Sequence, residues 1–166
     1  MRIFLRIQDA IKATDHEIGL DPELENVTSI IFRICEIIDE NDAASFVISG
    51  CGEEKWPVDV LFDLPTFLEP LPENLQKLRN DEEMIVFELY EQGTERNIRF
   101  DRQMNDYAVS VEYPDGSIRS DAEVISSEAL IDMLDSVRLN FLKLSAQIRL
   151  SNLARQELLH FLGSMD

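Results

Sequence analysis

The spacing of apolar positions changes repeatedly along the chain, and each change predicts a new element. Over residues 2–13, Ile3, Ile7, Ala10 and Ile11 recur at intervals of three and four, the period of a short amphipathic helix. Gly19 and Asp21-Pro22 interrupt it. Asp21 as N-cap with Pro22 at the first helical position predicts a second helix, with Val27, Ile30, Ile31, Ile34 and Ile38 on one face as far as Glu40. Two β-prone runs follow, 45–49 and 58–62, separated by Gly50-Cys51-Gly52 and the acidic Glu53-Glu54, and are expected to pair as a hairpin. Pro65, Pro70 and Pro72 leave room for one short helix, from Pro72 or Glu73 to Arg79.

From Glu83 the period becomes two. Ile85, Phe87 and Leu89 alternate with Val86, Glu88 and Tyr90, Gln92-Gly93 supplies a turn, and Ile98 and Phe100 continue the inward face. Tyr107, Val109, Val111 and Tyr113 alternate in the same way with Ala108, Ser110 and Glu112. This pattern predicts an antiparallel meander with one buried face over about 84–113. Pro114-Asp115-Gly116 forms the next turn, and 123–125 could add an edge strand.

The last third returns to helical spacing. Ser126 or Ser127 can cap a helix in which Leu130, Leu134, Val137, Phe141, Leu144 and Ile148 lie four, three, four, three and four apart. A second row, Leu139, Leu142, Ala146 and Leu150, widens the apolar face and favours a core helix packed on the sheet over a dimerising coiled coil. At Ser151-Asn152 the stripe turns polar, so the helix either kinks or gives way to a separate one running to about Leu162. Helices, then strands, then helices predict an α+β fold, and 166 residues suit a single domain over 1–166.

Charge adds a functional constraint. The net charge is −18, of which −10 falls between residues 36 and 83 and −6 between 84 and 128. Such a field repels nucleic-acid phosphates and draws in basic partners, although it also serves solubility. No apolar run is long enough to span a membrane, and Met1-Arg2-Ile3-Phe4-Leu5-Arg6 lacks the features of a secretory signal. With only Cys35 and Cys51 for thiols, the expected location is the cytoplasm.

Catalytic chemistry finds little support. His16 and His160 have no metal-ligand spacing, and the two cysteines are far apart. Glu53-Glu54 after the Gly50-Cys51-Gly52 turn would oppose a phosphate there, and Cys51 lacks the cationic surroundings that make a reactive thiolate. Glu53-Glu54-Lys55 with Asp42 matches the acids and lysine of a metal-dependent nuclease, but a match this short is expected by chance in so acidic a chain. Asp59 and Asp63 read as a solvent-facing pair. No cofactor, metal or catalytic residue is therefore expected.

The stretch Phe87-Glu88-Leu89-Tyr90-Glu91-Gln92-Gly93-Thr94-Glu95-Arg96, followed by Ile98-Arg99-Phe100, resembles a hairpin of small cytosolic immunity proteins from bacterial contact-dependent inhibition and related polymorphic toxin systems. Leu130-Ile131-Asp132-Met133-Leu134 through Asn140-Phe141-Leu142 resembles the helix that follows it. The resemblance implies a non-catalytic protein that binds and neutralises a cognate toxin C-terminal domain, with no nucleic acid or membrane as partner. Acidity points independently to a basic toxin. The expected contact residues are Glu53, Glu54, Asp59, Asp63, Glu88, Glu91 and Glu95, with Trp56 and Tyr90 as aromatic anchors, Trp56 being equally suited to the core. The alternatives are an acidic adaptor or regulatory interaction domain and, further off, the nuclease.

Overall fold

Period-two burial begins at the first residues of the chain. In the computed structural model, which describes residues 1–12, 17–90, 95–121 and 124–163, Arg2–Ile7 is a strand, β1, with Ile3 and Leu5 buried and Arg2 and Arg6 exposed. This corrects the expected N-terminal helix. Ile3, Leu5 and Ile7 alternate as well as Ile3 and Ile7 fit a helical period, and pairing with a later strand decides between the two. That partner is β2, Ala44–Ser49, antiparallel with Ile3 opposite Ile48 and Leu5 opposite Phe46.

Helix α1 spans Val27–Glu40, capped by Asn26, whose side chain accepts from the Ser29 N–H. It starts later than Asp21-Pro22 suggested, because Asp21 closes a local turn instead. Its carboxylate accepts from Glu23 N and its carbonyl from Leu24 and Glu25 N, while Glu25 reaches back to Asp21 N. The predicted apolar face is otherwise observed, with Ile30, Ile31, Ile34 and Ile38 buried.

Residues 58–62 form no strand, and β2 has no hairpin partner there. Asp59 and Asp63 close a turn reciprocally. Asp59 Oδ1 accepts from Phe62 N at 2.7 Å, and Asp63 Oδ2 accepts from Asp59 N at 2.9 Å, turning the chain into helix α2, Asp63–Leu68. Val60, Leu64, Phe67 and Leu68, at helical spacing, are buried. Helix α3, Leu71–Arg79, follows with Pro72 in its first turn.

The meander is observed. Strands β3 (Met84–Leu89), β4 (Arg96–Gln103) and β5 (Asp106–Glu112) pair antiparallel in sequence order, and β6 (Ile118–Ser120) and β7 (Ile125–Ser126) both pair with β5. Ile85, Phe87, Leu89, Ile98, Phe100, Tyr107, Val109 and Val111 form the buried face. The Gln92-Gly93 turn lies outside the described residues.

Helix α4, Ser127–Ser145, is capped by Ser126 Oγ on Ala129 N and lies along β1 and α3, burying Leu130, Leu134, Val137, Phe141 and Leu144. In the second row Leu139 and Ala146 face solvent while Leu150 is buried. The helix ends at Ser145, ahead of the expected Ser151-Asn152, and the connecting segment is held by a bridge between Leu150 and Ile18: Ile18 N donates to Arg149 O and Ser151 N to Ile18 O, both at 2.9 Å. Ser151 Oγ then accepts from Ala154 N at the start of a separate helix, α5, Asn152–Gly163. The fold is α+β, and its buried apolar side chains form one continuous cluster.

Candidate functional site

Beyond β2, Gly50 and Glu53 exchange backbone hydrogen bonds around a tight turn with positive φ at Cys51 and Gly52, a turn type that matches strand twist. Gly50 itself has φ 131°, and a Cβ there would lie 2.8 Å from Met1 Cα and 2.9 Å from Asp121 Oδ2. The Asp121 carboxylate takes the Cys51 N–H and lies 2.5 Å from the Met1 amine. Burial alone would raise the Asp121 carboxyl, and hydrogen bonds from that amine and from Cys51 N outweigh it and hold the carboxyl low. Burial and the neighbouring Asp121 push the Cys51 thiol up to about 11.

Next to this turn, aromatic rings and guanidinium groups alternate. The Arg96 guanidinium lies 4.5 Å from the Trp56 ring centroid and 5.0 Å from that of Tyr113, and Arg119 lies 4.9 Å from Tyr113. Glu53 ties the column together. It accepts from the Tyr113 hydroxyl at 2.7 Å and from Arg96 Nη1 at 3.2 Å, with Arg119 at 3.7 Å. The Tyr113 hydrogen bond and then the Arg96 contacts lower the Glu53 pKa below the ordinary carboxylate value despite partial burial. Burial and the same hydrogen bond raise that of Tyr113.

Two of the sequence-predicted contact residues therefore have internal positions. Trp56 is fully buried, donates its indole N–H to Gly50 O, and occupies the core and not the surface. Asp63 is buried at the start of α2, so the expected solvent-facing pair with Asp59 is instead a hydrogen-bonded turn that leads into the helix. Glu53 is half-buried within the cationic column. Glu54 and Asp59 are exposed, Asp59 also bonding Phe62 N. Glu91 lies outside the described residues, as does His16.

Tyr90 borders one concavity with Glu95 and a second with Glu88. Tyr90, 59% exposed at the end of β3, lines two concavities. One, of about 320 Å³, lies at the end of the meander among Glu95, Arg96, Glu112 and Tyr113. The other, of about 380 Å³, runs between α3 and β3 and is bordered by Glu69, Glu73, Lys77 and Glu88. Cross-strand register sets Glu88 opposite Asn97 and Asn97 opposite Glu112, so both acids share the outer face of the sheet. Sequence reasoning missed Glu69, Glu73 and Glu112 as members of this surface. The outward phase of Glu112 was legible from the period-two pattern, whereas Glu69 and Glu73 reach Tyr90 only through the packing of α2 and α3 against β3.

Among the described residues, no three His, Cys, Asp or Glu gather as a metal site, and no helix is long and apolar enough to cross a membrane. The chain matches no protein-family model, no curated protein and no solved structure.

Proposed function

We propose that this protein is a cytoplasmic immunity protein that binds a cognate, basic toxin C-terminal domain and neutralises it by covering its active site or functional surface. The observation that carries the reading is the convergence of Glu69, Glu73, Glu88, Glu95 and Glu112 on two concavities that share the exposed ring of Tyr90. Carboxylates grouped this way steer a basic surface into encounter, and a tyrosine on the rim offers rigid area for an anchor contact. Tyr90 and Glu88 also belong to the hairpin that resembles immunity proteins. Neutralisation by coverage needs no chemistry from this chain, in keeping with Glu53, an acid of the nuclease-like triplet, being engaged by Arg96 and Tyr113.

The test is growth rescue. The C-terminal domain of the protein encoded immediately upstream is expressed in bacteria with this chain, or with a Glu88→Lys, Tyr90→Ala, Glu95→Lys variant. Rescue by the unaltered chain and its loss in the folded variant are expected. Absence of rescue, or undiminished rescue by the variant, would refute the reading.

A further inference from the structure

We propose that the groove between α3 and β3 seats an arginine side chain of the protein partner. This rests on the immunity reading only in taking the partner to be a protein; the groove's own chemistry selects the residue. Three carboxylates border it, Glu69, Glu73 and Glu88, against one ammonium, Lys77, which lies 2.6 Å from Glu73. The groove thus keeps an excess of negative charge beside a cation of its own.

A second feature of the wall also favours a donor. Asn74 is 2% exposed and lines the groove, and its Nδ2 donates to Val86 O at 2.8 Å. Its Oδ1 accepts no hydrogen bond among the described residues and is not sealed from solvent. Thr66, also on the wall, is buried and gives its hydroxyl proton to Phe62 O at 2.9 Å, so it has no free donor for an anion. With these side-chain donors already used inside the fold, the groove offers an occupant acceptors, its carboxylates foremost.

The chemistry of the two cations distinguishes arginine from lysine. A guanidinium is a planar fork that can bridge two carboxylates while donating to a further oxygen, and its face stacks on an aromatic ring. Tyr90 supplies such a ring at the end of the groove. An ammonium offers a point charge with no plane to stack, and a neutral isostere of arginine lacks the charge that the carboxylates reward.

The experiment titrates the isotope-labelled full chain with the peptide acetyl-Gly-Arg-Gly-amide, followed by NMR. Matched peptides carry lysine or citrulline in place of arginine. The expected result is that the Asn74 side-chain amide and the Val86 and Tyr90 backbone amides shift, most with arginine, less with lysine and least with citrulline. Glu69→Gln with Glu88→Gln, both exposed positions, should weaken arginine binding by about tenfold, with the rest of the spectrum unchanged. Shifts centred elsewhere, no shifts, or equal responses to arginine and citrulline would overturn the proposal. Peptide binding without growth rescue would refute the immunity reading while upholding the groove, and rescue without peptide binding would do the reverse.

Discussion

Glu53 and Glu88 belong to the same acidic stretch of chain, yet their neighbours give them different roles. Glu53 holds Tyr113 and Arg96 and has a lowered pKa, whereas Glu88 faces solvent on β3. A carboxyl with a lower pKa folded than unfolded adds stability above the ordinary glutamate value, and that stability is lost as pH falls through the folded value. Denaturant unfolding across the acid range should therefore show a shallower acid loss in Glu53→Gln than in the parent, and an identical acid profile would contradict the role given to this carboxylate. Tyr113 works with the opposite sign. Its pKa is raised, so its contribution is complete below about pH 10, the ordinary tyrosine value, and fades above it. Trp56 and Tyr90 form a similar contrast. Trp56→Ala should cost about 3–5 kcal/mol by emptying a core site, and Tyr90→Ala should stay within about 0.5 kcal/mol as a surface change; thermal unfolding separates them. Sequence alone set both aromatics beside acids. The fold separates them: Trp56 is fully buried, with Arg96, from a strand distant in the chain, lying over its ring, whereas Tyr90 is exposed.

At the scale of elements, each sheet has an outer strand whose edge carbonyl is taken by an asparagine from a helix. Asn140 on α4 donates to Leu5 O of β1 at 2.9 Å, and Asn74 on α3 donates to Val86 O of β3 at 2.8 Å. Both fix a helix to a strand and occupy a backbone group that would otherwise lack a strand partner. Asn140→Ala should destabilise the fold by about 1–3 kcal/mol, the cost of a buried acceptor left unmet, and urea unfolding at neutral pH measures it; an unchanged midpoint would show that water replaces the amide. Asp59→Ala should cost about 1 kcal/mol through loss of the turn its carboxylate closes ahead of α2. Elements fixed by local pattern were legible: the meander, α3, the apolar face of α1 and the stripe of α4. Those decided by distant partners were not. Residues 2–7 form a strand because β2 pairs with them, 58–62 close a turn around the Asp59 carboxylate, and the segment between α4 and α5 is held by the bridge to Ile18.

For the whole molecule, charge and shape meet at Tyr90. The acidic middle was plain in the sequence, but its division into structural and surface acids needed the fold: Glu53 and Asp63 turn inward, while Glu69, Glu73, Glu88, Glu95 and Glu112 border the two concavities. Association with a basic toxin domain should therefore slow as salt rises, and replacing rim acids should act mainly on the association rate. The most direct measurement is the dissociation constant between the full chain and the C-terminal domain of the protein encoded upstream, for the parent and for Glu88→Lys with Tyr90→Ala. We expect the parent to bind and the folded double variant to bind at least about 100-fold more weakly. No binding by the parent, or equal binding by the variant, would contradict a toxin-neutralising surface at Tyr90.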